Sequence, residues 1–178
     1  MIYFVTGNEN KLREVEEILG VKLQRLDIDI DEIQEIELDR IIRHKARAAY
    51  EKVKQPVLVE DTGIFIEALN GFPGALIKWI LKAVGNEGIC RLLKDEKNRG
   101  VTARTYFCLY NGKTYRIFTG QIKGKLAYKP QGKTGFGWDP IFIPEGYKKT
   151  FAQLGNKKNK ISMRKIALDK LKNFLDNS

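Results

Sequence analysis

The sequence holds a single histidine, two cysteines and no long apolar run. With only His44, neither a histidine-rich metal centre nor a Ser-His-Asp triad has support, and no cysteine stands at a metal-binding spacing from it. Cys90, on an expected helix, and Cys108, in an expected strand, are too few for a disulfide framework and read as core residues. No apolar stretch approaches the roughly 20 residues of a membrane span. The chain opens on strand-like Met1-Ile2-Tyr3-Phe4-Val5 rather than on a basic leader, so a cytoplasmic protein with no membrane partner is expected. Neither G-x-x-x-x-G-K-[ST] nor G-x-G-x-x-G occurs, which removes the P-loop and the dinucleotide fingerprint. Internal repeats and low-complexity linkers are also missing.

What is present suits one well-buried core: 178 residues, 43% hydrophobic, read as a single domain over 1–178. Acidic residues are scarce in the second half. Residues 97–178 carry 18 basic and 4 acidic side chains (+14), whereas residues 1–96 carry 14 and 18 (−4). Candidate metal ligands thus lie in the first part and most cations in the second, an arrangement suited to a metal-bound polyphosphate held between them. Nucleic acid would also suit the basic half.

The centre of the chain is Pro56-Val57-Leu58-Val59-Glu60-Asp61-Thr62-Gly63, which reads as a buried strand ending in acid. In open α/β sheets ligands bind beyond the carboxyl ends of strands, where Glu60 and Asp61 would lie. Consecutive strand residues face opposite ways, so the two acids take different tasks. One can ligate a hard divalent cation such as Mg2+, while the other polarises a water or completes the metal shell. A solvated Glu-Asp-Thr-Gly turn is the competing reading.

In chain order, Ile2–Val5 reads as a strand, and Leu12, Val15, Ile18 and Leu19 recur at helical spacing after the Thr6–Lys11 turn. Asn8 or Asn10 can cap that helix, whose first N–H groups make an anion site with Lys11 nearby. Glu14 shares a face with Lys11, and an ordinary surface ion pair is the plainer reading. Lys22–Ile28 is a second expected strand, Asp29–Glu37 an acidic connection and Leu38–Val53 a helix. On it His44 and the cations Arg40, Arg43, Lys45 and Arg47 are expected to form a solvated face. Breakers at Asn70–Gly74 precede two helical segments, Ala75–Val84 and Glu87–Lys94. Thr102–Tyr110 and Lys113–Thr119 read as a hairpin about Asn111-Gly112, so the sheet is expected to be mixed.

The loop Gly132–Phe142 is rich in glycine and aromatics. Phe136 or Trp138 there can stack a base while Asp139 reads a base edge, or the aromatics are simply buried. Ser162 is a plausible cap for a last helix, with Ile166, Leu168, Leu171 and Leu175 as its apolar face.

Taken in order, Thr6-Gly7-Asn8 with Lys11 and Glu14, Val59–Gly63, Gly71-Phe72-Pro73-Gly74, Phe136–Pro140 with Phe142, and Lys158-Asn159 with Ser162 and Arg164 resemble the inosine triphosphate pyrophosphatase family. The resemblance spans nearly the whole chain. It implies an α/β fold in which a long, mixed, twisted central sheet and flanking helices form two lobes around a deep substrate cleft, and it implies a homodimer. It further implies hydrolysis of ITP, dITP or XTP between the α- and β-phosphates, with Mg2+, or Mn2+ in its place.

On that basis Lys11 and the helix N-terminus would hold phosphate oxygens, Glu14, Glu60 and Glu37 or Glu35 would surround the metal, and Asp61, also near the metal, would deprotonate the attacking water. Substrate contacts would come from Thr6, Asn8, Lys11, Thr62, Phe136, Trp138, Asp139, Lys158, Ser162, Met163 and Arg164. The oxygen at purine position 6 would be served by Arg164 or Lys158, which an amino group there would leave unpaired.

Two departures stand out. Met163 occupies the place of a usual histidine, so weaker base discrimination is expected, and the Glu35-Ile36-Glu37 region is one residue longer than in relatives, which leaves Glu37 and Glu35 both open as the third metal carboxylate; Gln153 also stands where glutamate is common. Competing readings are a pyrophosphatase for other modified nucleotides and a basic nucleic-acid-binding module; the latter leaves Glu14, Glu60 and Asp61 unexplained.

Overall fold

The computed structural model describes residues 2–177, so Met1 of the opening strand lies outside them. Its elements run β1 (Tyr3–Val5), α1 (Glu9–Leu19), β2 (Gln24–Leu26), α2 (Leu38–Val53), β3 (Val57–Ile66), β4 (Pro73–Gly74), α3 (Ile77–Leu92), β5 (Gly100–Tyr110), β6 (Tyr115–Leu126), β7 (Phe142–Pro144), α4 (Phe151–Leu154), α5 (Lys158–Ile161) and α6 (Met163–Asp176). One seven-stranded sheet takes the order β2-β1-β3-β5-β6-β7, with β4 paired to β3 off that path. β1 is parallel to β2 and β3, and every other pairing is antiparallel. The α/β fold and the mixed sheet agree with the sequence.

Side chains alternate across this sheet and meet helices on both faces. Phe4 and Leu58 pack with Val15 of α1 and Ala167, Leu168 and Leu171 of α6. Val5, Val57 and Val59 pack with Ile42, Ala46 and Ala49 of α2. A third cluster joins the far end of β3, through Ile64 and Ile66, to α3, β7 and the aromatics Trp138, Phe142 and Phe151.

β3 does not stop at its acids. Its parallel pairing ends with Val5 against Val59, yet it continues to Ile66 and pairs with β5 along its whole length, from Val57↔Tyr110 to Ile66↔Val101. Glu60 and Asp61 are therefore mid-strand and not in a solvated turn; the apolar Ile64-Phe65-Ile66 run carries the strand onward. Gly63 permits the close approach of β4, since a Cβ there would sit 2.7 Å from the Gly74 carbonyl.

Two smaller differences have local causes. The hairpin joins Tyr110 to Tyr115 through a longer loop than an Asn-Gly turn needs, because the Asn111 side chain accepts from Lys113 N and Thr114 N, and β6 then runs on to Leu126. Both helical segments expected after Pro73 form within α3, separated by a kink at Gly85, whose positive φ (66°) suits glycine. On α6 the buried face is Met163, Ala167, Leu168 and Leu171, whereas Ile166 and Leu175 are exposed. Gly120 of β6 brings this helix close, since a Cβ there would strike Met163 O. Among the described residues no helix is long and apolar enough to cross a membrane.

Candidate active site

A cleft of about 1110 Å3 opens where β1 ends and β3 runs on. Its walls are the β1–α1 turn, the 27–35 connection, Ile41 and Lys45 of α2, Asp61 and Thr62, the start of α3, the loop Phe136–Asp139, and Lys158, Met163 and Arg164.

Thr6 and Asn8, which line the cleft, are first of all turn builders. Asn8 Oδ1 accepts from Asn10 N (3.0 Å) and Lys11 N (3.1 Å), and Asn8 N donates to Thr6 Oγ1 (3.1 Å). Asn8, not Asn10, is thus the cap of α1. The cap starts the helix where Lys11 can reach β3, with Nζ 2.7 Å from Glu60 Oε2 and 3.9 Å from Asp61 Oδ1.

From Lys11 a chain of alternating charges crosses the site. Glu60 also meets Arg164 Nη2 at 3.1 Å, Arg164 Nη1 donates to Glu14, and Lys158 Nζ joins Glu14 (2.6 Å) to Asp139 (2.7 Å). Burial would push the Glu60 carboxyl up, but the charges of Lys11 and Arg164 and the hydroxyl of Thr62 bring it down to about 2. Arg164 is held above its ordinary value: burial opposes its charge, and Glu60 and Glu14 more than reverse that. At Asp139 burial wins over Lys158 and the Phe136 amide, and the carboxyl is raised.

Glu14 and Glu60, both expected beside the metal, pair here with Lys158, Arg164 and Lys11, and neither lines the cleft. Charges this deep are stable only when paired, and the cations of α1 and of the segment 158–164 supply the pairs. Glu37 is exposed at the head of α2 and is not among the lining residues. Glu35 does line it, while bonding Ile36 N and Arg40. Among the described residues no three acidic, histidine or cysteine side chains converge as a metal cage. Asp61 does open onto the cleft, with Thr62 N donating to its Oδ1 at 2.8 Å.

An ion pair on the cleft, Lys45 with Glu32, escaped the sequence reading. Lys45, assigned there to a solvated face, has a side chain only 13% exposed and pairs with Glu32 at 2.8 Å. Burial opposes its charge, but Asp61 and Glu32 raise it above its usual value. Glu32 is lowered, as Lys45, Lys78 and Lys11 outweigh its burial. A signal existed: Lys45 falls on the same stripe as Leu38, Ile41, Ile42, Ala46 and Ala49, the buried face of α2.

At the other end of the charge chain lies Phe136. Asp139 Oδ2 accepts from Phe136 N at 2.9 Å, and Lys158 Nζ stands 4.6 Å from the ring centroid. Asp139, expected to read a base edge, lines the cleft while 2% exposed and holds Lys158 and the loop. Trp138 touches the cleft but is 7% exposed and packs edge-on against Phe142, which leaves Phe136 as the more available of the two loop rings; Trp79 of α3 is a further, exposed ring on the cleft. Ser162 is fully buried and off the cleft, accepting Lys165 N as the α6 cap. Met163 is buried in the core where it borders the cleft. Gln153 completes a capping box with Thr150.

Residues 2–174 match the Ham1 family. The chain is 44% identical over 183 residues to the dITP/XTP pyrophosphatase of Methanopyrus kandleri, covering 99% of this chain and 97% of that protein. It is 39% identical over 180 residues to the inosine triphosphate pyrophosphatase of Yarrowia lipolytica, covering 98% and 95%. Among solved structures, a HAM1 protein from Coxiella burnetii superposes with a TM-score of 0.85 at 28% identity, covering 99% of this chain and 98% of that one.

Proposed function

Since the chain belongs to the Ham1 family, we propose that it is a nucleoside triphosphate pyrophosphohydrolase, one domain over 1–178, that removes non-standard purine nucleotides. Its relatives' names give the substrate class: dITP, XTP and ITP. The observation that carries this reading is the placing of Asp61 and Phe136 on one cleft, at opposite ends of a chain of charges through Lys11, Glu60, Arg164, Glu14 and Lys158.

Phe136 stacks on the purine, and the cations behind it, Lys158 and Arg164, favour a carbonyl over an amino group at position 6. Lys11, Lys45 and the first turn of α1 hold phosphate oxygens. Asp61 takes the proton of the attacking water as it adds to the α-phosphorus, and pyrophosphate leaves.

The donor set fits Mg2+ or Mn2+. Mg2+ characteristically takes one or two carboxylates together with substrate phosphates and waters, and Glu32, Glu35 and Asp61 offer carboxylates on the cleft without an all-protein cage. Bound there, the ion would neutralise charge on the phosphates and leaving group. The same reading makes the enzyme a cytoplasmic homodimer; light scattering of the purified protein checks the dimer, and cell fractionation checks the location.

The experiment is pyrophosphate release from ITP, dITP, XTP, GTP and ATP with and without Mg2+, beside Asp61→Asn. Turnover of the first three above ATP, lost in the variant, supports the proposal. Absence of turnover for all five refutes it. A GTP rate equal to that of ITP would mean that Met163, unable to donate a hydrogen bond, leaves the base poorly discriminated.

A further inference from the structure

The β1–α1 turn is gripped from the edge of the sheet by one side chain. Arg25 stands in β2, in register with Phe4 of β1. Its Nε donates to Thr6 O at 3.0 Å and its Nη2 to Gly7 O at 3.3 Å. Nη2 also meets Asp27 at 2.8 Å, and Nη1 meets Glu9 at 3.2 Å. Two carboxylates thus offset the guanidinium charge, and what it adds to the turn is direction. A planar trans peptide places the C=O and the following N–H on opposite sides. With the Thr6 and Gly7 carbonyls drawn to Arg25, the Gly7 N–H is turned away from it, and Asn8 N is met by Thr6 Oγ1. This is the peptide orientation that an anion-binding turn ahead of a helix requires.

We propose that Arg25 is a positioning residue for polyphosphate binding: without touching the ligand, it fixes the Thr6-Gly7-Asn8 turn in the conformation that holds phosphate oxygens. This rests on the function proposed above. The planar fork suits the task because it reaches two carbonyls and two carboxylates at once, which the single ammonium of lysine cannot do.

The test measures inorganic pyrophosphate binding by calorimetry with Mg2+, inosine binding, and ITP kinetics for the intact chain, Arg25→Ala and Arg25→Lys. Arg25→Ala is expected to weaken pyrophosphate binding and raise KM by about tenfold, the loss of roughly one charge-assisted hydrogen bond. Inosine affinity and kcat should change much less, and Arg25→Lys should recover only a minor part of the loss. Unchanged pyrophosphate affinity in Arg25→Ala, full recovery with lysine, or an equal loss of inosine binding would each overturn the proposal. If Arg25→Ala does not fold, Arg25→Lys carries the same comparison. Should the unaltered chain bind pyrophosphate yet turn over no triphosphate, the proposed function fails while the binding arm still decides Arg25; if it binds no pyrophosphate, both fail.

Discussion

Arg164 Nη2 lies 3.1 Å from Glu60 Oε1, and neither side chain is more than 2% exposed. The pair joins α6 to the middle of β3 across 104 residues of sequence. Through Glu14 on one side and Lys11 on the other, it ties the base end of the cleft to the phosphate end.

Arg164→Met should cost about 3–5 kcal/mol, because it leaves Glu60 and Glu14 buried with one cation fewer. Urea unfolding of the purified variant measures this. A loss below about 1 kcal/mol would mean that water reaches the pair and solvates the carboxylates.

Acid should expose the same pairing. The Glu60 carboxyl is lowered to about 2, so its contribution to stability is complete above the ordinary carboxylate range and is lost as pH falls toward 2. A difference of about two units corresponds to roughly 3 kcal/mol. Stability measured from pH 5 down to 2 should fall more steeply for the unaltered chain than for Glu60→Gln, and parallel curves would contradict the assignment.

Asp61→Asn should lower kcat by about a hundredfold to ten-thousandfold while ITP still binds, since the amide cannot accept the water proton but fills the same space. Rapid-quench turnover and nucleotide titration separate the two effects. A variant that turns over normally transfers the role of base elsewhere.

Lys45→Met should raise KM for ITP by about tenfold and weaken pyrophosphate binding in step, as one buried cation leaves the phosphate end. Phe136→Ala should instead weaken inosine binding, a lost stack being worth about 1–3 kcal/mol, with pyrophosphate affinity kept. Competition assays with the two half-ligands check the division, and identical losses in both would show that the cleft does not have two separate ends.

Chelation by EDTA should abolish turnover, and Mg2+ should restore it. Glu32→Gln should raise the Mg2+ concentration needed, whereas Glu37→Gln should leave it unchanged, because only Glu32 of the two faces the cleft. Mg2+ titrations of activity read both.

Local signals carried much of this protein. The apolar run Val57-Leu58-Val59 specifies a sheet strand covered on both faces, and the helix expected over Leu38–Val53 ahead of Pro56 is α2. Asn8 and Ser162 announce their helix starts because a cap needs only residues within one turn. The motifs Thr6–Lys11, Glu60–Thr62, Phe136–Asp139 and Lys158–Arg164 marked four of the segments that line the cleft, while its walls from α2 and the start of α3 carried no motif. What those segments do to one another was out of reach. Glu14, Glu60, Lys158 and Arg164 look like separate ligands along the chain, and folding turns them into partners, since charges carried into a low-dielectric interior are held there by opposite charges from distant elements. By the same rule Trp138 went to the core and Lys45 to the cleft: burial depends on what the rest of the chain brings alongside, which no local pattern records.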